Sequence, residues 1–365
     1  MLRSDNKILF SALIAVVLGF GIAGAAGIDQ TAKENCKKQA LSIITDGLSD
    51  TDSAYRSKAV EVVSNAGIKD LMPKVEKLMG DDFVPVRFTA AITVGDMKYD
   101  NSMPALKKLV EVGDETSKIA AAYAMAKLGD KRNVAIIHEA LKSSDQNLKA
   151  NAALLIGKLG NKDDIAILYK VLGDVTASDA AMFQAAESIA ALGDAGIYQR
   201  LWTMLISKHP DDRIIGIRAM RALGTAQAKE AILTMFYDEV LEVRLVAAAE
   251  LGKLGDDSGY TEVVDALTKP LSQIDQEAME RAYSFRKKKD KDGTEGEKES
   301  RMLFQPIYRT NVEYEQAVER AKILAALAIG YIENATLDEY LPKLLADPSR
   351  DVQIAAAQSA MLRFK

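Results

Sequence analysis

The most constraining feature of the chain is a small residue that recurs at an almost constant interval. The interval is 31 residues in six cases, 33 in one and 78 in another. The nine positions, called marker positions below, are Ala59, Ala90, Ala121, Ala152, Ala185, Gly216, Ala247, Ala325 and Ala356. A period of this length is typical of one supersecondary unit stacked on itself. The sequence therefore predicts an elongated array of repeats whose core runs along a line.

The residues that follow each marker predict a helix. In the unit of Ala90, apolar residues occur one, four and seven positions later, at Ala91, Val94 and Met97. These offsets lie on one face of an α-helix, and the small marker lets a neighbouring helix approach closely. Many units then end in a glycine such as Gly129, which is the expected C-terminal cap. Because a second apolar-periodic stretch precedes each marker helix, each unit is predicted to be helix, turn, helix and glycine stop.

At this level the chain resembles the HEAT-repeat family, in particular the short HEAT-like repeats also found in phycobilisome lyases. Residues 85–91 (PVRFTAA) and 242–248 (EVRLVAA) carry the motif, and the resemblance covers about residues 34–365 apart from one insertion. It implies an all-α fold, an α-solenoid built as a right-handed superhelix of about nine helix pairs, with second helices on the concave side. Such repeats serve scaffolds, adaptors and a few enzymes, so the fold alone predicts no activity.

A basic residue lies three positions before the marker in seven of the nine units, and Met182 and Gln353 replace it in the others. The basic residues are Arg56, Arg87, Lys118, Lys149, Arg213, Arg244 and Lys322. Six residues earlier, four units carry an aspartate, at Asp50, Asp81, Asp238 and Asp347. The family resemblance implies that these residues pair along the stack as a structural ladder, since the arginine fork suits carboxylates and carbonyls. The alternative is a basic row that binds an acidic partner.

One unit is much longer than the others. Between Ala247 and Ala325 lie 78 residues where 31 are expected, an excess of 47, and the extra chain is placed at about residues 270–311. Loops of this length are uncommon unless they are functional or disordered. The insertion carries a basic run followed by an apolar patch, and its candidate partner-binding residues are Arg286, Lys287, Lys288, Lys289, Phe304 and Tyr308. Both a recognition arm and a tolerated disordered insertion fit this pattern.

Residues 1–26 are predicted to be a signal peptide or an N-terminal anchor. A short basic start containing Arg3 and Lys7 precedes an apolar run at residues 8–26, which is the pattern of a secretory signal. The run is also long enough to span a bilayer, so an uncleaved anchor with membrane contact is the alternative. Either way the repeat domain, residues 27–365, is predicted to be exported to the periplasm or cell envelope. The single cysteine, Cys36, excludes an internal disulfide and is expected to be buried.

Composition and motifs favour binding over catalysis. The net charge of −5 argues against a nucleic-acid partner. His138 and His209 lie in different units, no cluster has metal-ligand spacing, and no phosphate loop occurs. The sequence predicts no catalytic residue, metal or cofactor.

We therefore expect an exported, non-enzymatic scaffold or adaptor that binds a protein or peptide on the solenoid surface. The alternatives are a lyase-like enzyme that handles a chromophore and a membrane-anchored regulator of an envelope complex. The sequence does not predict the oligomeric state.

Overall fold

A computed structural model describes residues 27–278, 280 and 310–365 of the chain. This part consists of α-helices joined by 3₁₀ turns and short loops, and no strand occurs in it. The helices are α1 (Gln30–Gly47), α2 (Ser53–Ala66), α3 (Met72–Lys77), α4 (Val84–Asp96), α5 (Met103–Val112), α6 (Glu115–Lys127), α7 (Val134–Ala140), α8 (Gln146–Leu159), α9 (Ile165–Leu172), α10 (Asp179–Ala191), α11 (Tyr198–Leu205), α12 (Pro210–Leu223), α13 (Ala226–Thr234), α14 (Leu241–Gly252), α15 (Tyr260–Thr268), α16 (Asn311–Ile329), α17 (Leu341–Leu345) and α18 (Arg350–Arg363). The prediction of an all-α repeat solenoid is confirmed.

The helices form pairs, and every marker position lies on the second helix of its pair. Capping residues in the turns begin these helices: the Asp52 side chain accepts a hydrogen bond from the backbone of α2, and Thr310 forms a capping box with Glu313 at α16. Gly160 ends α8 in the left-handed conformation, with φ 80°, which a glycine adopts without strain. Local sequence therefore sets the length of each pair.

The second helices are packed tightly against one another through small residues. Gly157 on α8 faces α10 so closely that an added Cβ would lie 2.5 Å from Ser188 Oγ. The same hydroxyl donates a hydrogen bond to the Ala153 carbonyl of α8, at 2.9 Å. The markers on these helices, Ala152 and Ala185, are fully buried. Small side chains thus set the distance between neighbouring units.

The second helices close into a ring. Each of them packs against the second helix before and after it, and the last one, α18, packs against both α1 and α2. We call the contact between the last unit and the first the seam. Hydrogen bonds across the seam include those from Gln39 to the Leu345 carbonyl, from Tyr55 to the Arg350 carbonyl, and from Asn65 to Gln358. The sequence analysis expects an elongated array of repeats; in the structure the last unit instead lies beside the first.

Closure buries the apolar faces of the terminal units. Ala40 and Ile44 on α1 are fully inaccessible to solvent, and Cys36 on the same helix is 3% exposed. They belong to one continuous core cluster with Ala356 and Ala357 of α18. An open solenoid needs polar capping repeats at its ends. Here the first and last units cover each other instead.

Candidate functional site

Arg56 and Arg87, at the start of two successive second helices, bind two turns each. Arg56 Nε and Nη2 donate to the Asp81 carboxylate of the next unit at 2.8 and 2.7 Å, and Nη1 donates to the Asp50 carbonyl of its own turn at 2.7 Å. Arg87 binds Asp114 at 2.6 Å and the Asp81 carbonyl at 2.6 Å. Each arginine thus ties its own turn to the following one.

The same connection recurs in later units. Arg213 binds Asp238 at 2.9 Å, and Lys149 and Lys322 bind Asp174 and Asp347. The fully buried Arg244 departs from this rule because the insertion changes the next unit. Its Nε donates to Glu262 of α15 at 2.8 Å, and its Nη1 donates to the Asp238 carbonyl at 2.8 Å.

Two positions interrupt the ladder. Lys118 binds Glu115 of its own helix at 2.9 Å, and Met182 carries no charge. At the last unit Gln353 keeps only the bond to its own turn, the Asp347 carbonyl, at 2.7 Å. Arg350 completes the connection there, because it forms an ion pair with Asp50 of the first unit.

The ladder lowers the pKa values of two of its carboxylates. The pKa of Asp114 falls to about 2, because hydrogen bonds from Ser117 and Arg87 outweigh the opposing effect of burial. The pKa of Asp81 is also lowered, since the bond from Arg56 and the backbone N–H of Phe83 outweigh burial. These charges are neutralised within the protein. The geometry therefore favours a structural role for this row over an acidic partner.

The insertion begins after α15. Residues 271–278 are helical, and Leu271, Ile274 and Ala278 pack into buried positions. The six partner-binding candidates, Arg286, Lys287, Lys288, Lys289, Phe304 and Tyr308, lie outside the described residues, as does the apolar run at 8–26. Their assignment stays a prediction.

An apolar row that the sequence analysis missed lies on the turns between first and second helices. Val175, Ile206 and Tyr237 are 98%, 64% and 60% exposed, although each is a large apolar or aromatic side chain. They are spaced by 31 residues and precede their markers by ten, so they occupy the same place in three consecutive units. We call them the rim row. Their common register in the sequence is the signal that could have revealed them.

A pocket opens beside the rim row. Its volume is about 670 Å³, and it lies between the N-terminal ends of α12, α14 and α16. The lining combines apolar side chains with carboxylates; these residues are Pro210, Asp211, Ile214, Glu239, Val240, Leu241, Glu242, Asp275, Glu313, Gln316, Arg320 and Leu324. We call it the rim pocket. The lining residues Pro210 and Glu239 follow Ile206 and Tyr237 closely in the sequence.

Asp275 gives the rim pocket an unusual electrostatic character. Burial raises its pKa to about 6; the charge of Arg244 opposes this rise and that of Glu242 adds to it. Among the described residues, Asp275 has no hydrogen-bond or ion-pair partner. Among the described residues that line the pocket, Arg320 is the only cation, and it binds Glu242 at 3.3 Å. This part of the lining therefore carries more negative than positive charge.

The interior of the ring is a confined space. Glu61 on α2 is accessible to solvent, yet the surrounding helices restrict its hydration, and this desolvation raises its pKa. Lys58 of the same helix and Arg218 of α12 oppose the rise. Since α2 and α12 are on opposite sides of the ring, these second helices face each other across the interior and the first helices lie outside.

A second pocket lies at the seam, on the rim opposite to the rim row. It has a volume of about 770 Å³ and is lined by α1 and by the C-terminal ends of α14, α16 and α18. Three of its charged groups bind one another, since Arg363 and Lys33 both contact Asp338, and Lys253 lies over the ring of Tyr331, 4.9 Å from its centroid.

Two further findings concern only the described part of the chain. No helix in it is both long and apolar enough to cross a membrane, and it contains no group of three or more potential metal ligands. His138 is half-buried and contacts Asp164 at 2.9 Å.

Stacked helical hairpins joined by a ladder of turn contacts define the class of α-helical repeat proteins. Residues 41–126 and 113–190 match the sequence model of HEAT repeats. Over this part the chain is similar to HEAT repeats, as the sequence resemblance indicated.

Comparison with curated protein sequences gives no match. Similar solved structures include the complex of CpcE and CpcF of phycocyanin lyase from Nostoc sp., which is 16% identical with a TM-score of 0.41 and covers 73% of this chain and 98% of that one. Human deoxyhypusine hydroxylase in complex with glycerol is 13% identical with a TM-score of 0.32, covering 92% and 99%. An engineered protein is 20% identical with a TM-score of 0.26, covering 90% and 98%.

Proposed function

We propose that this protein is an exported, non-enzymatic scaffold that binds a protein or peptide on its turn rim. The observation that carries the proposal is the rim row. Val175, Ile206 and Tyr237 expose apolar surface at one register in three successive units. Contiguous exposed apolar surface bordered by polar groups is typical of interaction sites. Their exposure offers a partner three side chains at the same place in consecutive units.

The ladder supports this proposal because it fixes the turns that carry the row. Arg213 holds the turn of Ser207, directly after Ile206, and also Asp238, directly after Tyr237. A surface whose backbone is already positioned loses little conformational freedom on binding. The rim is thus suited to bind a partner as a rigid platform.

Export is part of the proposal and rests on residues 1–26. The mature protein would be free in the periplasm after cleavage, or attached to the envelope through residues 8–26. Mass spectrometry of the N-terminus of the protein purified from its native cells separates these outcomes. An intact N-terminus on a protein found only in the cytosol would contradict export.

The binding proposal is tested by affinity capture from native extract with quantitative mass spectrometry. The variant Val175→Ser/Ile206→Ser removes two members of the rim row, and Leu41→Ser removes an exposed apolar side chain from α1 as the matched control. We expect the same partner to be captured by the wild type and by Leu41→Ser, and to be lost with the double variant. Equal capture by all three proteins would contradict the proposal.

A further inference from the structure

The rim pocket carries more negative charge than the described part of the protein uses. Five carboxylates line it: Asp211, Glu239, Glu242, Asp275 and Glu313. Glu313 serves the capping box of α16, and Glu242 pairs with Arg320. Asp211 lies in the first turn of α12, where the helix dipole stabilises a negative charge. Glu239 is exposed to solvent, and for the half-buried Asp275 the described residues supply no hydrogen-bond or ion-pair partner.

Asp275 is the strongest indication of a missing cation. It is half-buried on the helical segment 271–278, and no described side chain binds its carboxylate. Burying a carboxylate without a partner costs free energy, and a cation placed against it recovers that cost. Its neighbours Arg244 and Glu242 act on it only at longer range. The pocket is therefore complementary to a positively charged group.

The floor of the pocket is apolar, and this restricts the chemistry of the ligand further. Ile214, Val240, Leu241 and Leu324 are among the lining residues, and Ile206 and Tyr237 of the rim row lie on the turns that lead into α12 and α14. A small hydrophilic cation would leave this surface exposed. A ligand with both apolar and cationic side chains would cover it.

The spacing of the rim row fits a helical segment. Neighbouring packed helices lie about 8–10 Å apart, so equivalent residues of adjacent units are separated by a similar distance. Side chains seven residues apart on an α-helix are separated by about 10.5 Å along its axis. One face of a helix can therefore contact Val175, Ile206 and Tyr237 in succession.

From these contacts we propose that the partner presents a cationic amphipathic helix, with apolar side chains on the rim row and a lysine or arginine in the rim pocket against Asp275 and Glu239. This inference rests on the proposed scaffold function and names the partner's chemistry. A nucleic acid or an anionic lipid surface would be repelled by the same carboxylates.

The test uses the full-length protein and a synthetic helical peptide of about 18 residues built from Leu and Lys at helical spacing. The control peptides are one with Glu in place of Lys and one with the Leu/Lys order scrambled. Isothermal titration calorimetry measures binding. We expect only the ordered cationic peptide to bind, with an affinity that falls as salt is raised. Equal binding of the scrambled peptide, or binding of vesicles containing phosphatidylglycerol in its place, would overturn the inference.

Two variants locate the site. Glu239→Gln/Asp275→Asn removes the unexplained charges, and Asp163→Asn removes an exposed carboxylate on the opposite rim as the matched control. We expect the first variant to weaken peptide binding by about tenfold or more and the control to leave it unchanged. Equal effects of both variants would mean nonspecific attraction to an acidic protein.

The proposed function can survive failure of this inference. If no peptide binds while Val175→Ser/Ile206→Ser still abolishes native capture, the rim is an interface for a partner of other chemistry. If native capture also persists in that variant, the scaffold proposal fails as well.

Discussion

Arg350, at the start of the last helix, forms an ion pair with Asp50, in the turn of the first helix pair. The aspartates at the same register, Asp81 and Asp238, each bind the basic residue of the preceding unit. Asp50 has no preceding unit in the sequence, and the last unit takes that place in space. The guanidinium of Arg350 also lies over the ring of Tyr55, 4.1 Å from its centroid. The ladder therefore continues across the seam, where it joins the last unit to the first.

The buried Arg244 should contribute more to the free energy of unfolding than the exposed members of the ladder. Arg244→Met breaks a fully buried ion pair with Glu262 and removes the Arg244 charge from that carboxylate. We expect a loss of about 3–5 kcal/mol in the free energy of unfolding, measured by chemical denaturation. Lys118→Met, at the equivalent position, removes only an ion pair within one helix and should cost less than about 1 kcal/mol. Similar losses in both variants would contradict the structural role assigned to Arg244.

Close approach of the second helices should make Gly157 intolerant of a side chain. In Gly157→Ala the new Cβ would meet Ser188 at 2.5 Å from Oγ and 2.9 Å from Cα. Overpacking of this kind costs about 1–3 kcal/mol, so we expect a clearly lower melting temperature. Gly80→Ala is the control, because no atom lies within 4 Å of its added Cβ. A neutral Gly157→Ala would show that α8 and α10 are farther apart than described.

Asp275 should make the protein less stable as the pH rises. Its pKa is about 6 in the folded protein and 3.8 ordinarily, so the folded state holds the proton more tightly than the unfolded state. Raising the pH from about 4 to above 6 removes that proton. The free energy of unfolding of the wild type then falls relative to that of a variant with a neutral side chain at position 275. We expect Asp275→Asn to be more stable than the wild type by on the order of 1–2 kcal/mol at pH 7.5.

The advantage of Asp275→Asn should shrink as the pH is lowered towards 4, where both proteins carry a neutral side chain. Thermal unfolding of both proteins between pH 4.5 and 7.5 measures this difference. A constant difference across the range would mean that Asp275 does not titrate as described. A bound cationic peptide should remove the difference, since it supplies the missing charge.

Much of the fold could be predicted because the information is local. Ala90 and its equivalents define a helix face by themselves, and Gly160 specifies a helix end through its conformational freedom. The structure places α15 at Tyr260–Thr268 and begins α16 at Asn311. These features depend on residues a few positions apart.

Ring closure could not be predicted in the same way. It depends on the sum of small rotations between successive units, and no single residue encodes that sum. Asp50 looks like any other turn aspartate in the sequence, and its partner Arg350 lies 300 residues away. The partner of Arg244 could not be predicted from the sequence either. The insertion takes the place of the usual turn with its aspartate, and Glu262 of α15 binds Arg244 instead. Asp275 became conspicuous only when its burial was known, together with its lack of a hydrogen-bond or ion-pair partner among the described residues.

The seam can be measured directly by pulsed electron spin resonance between two labels. In a Cys36→Ala background, labels replace Lys58 and Asp351, which form an ion pair at 2.8 Å across the seam. Ala54 and Thr89 have the same relation to their markers in two consecutive units and provide the control pair. A closed ring predicts closely similar distance distributions for the two pairs. An open superhelix would place the seam labels several unit spacings apart, each of about 8–10 Å, and that result would contradict the account.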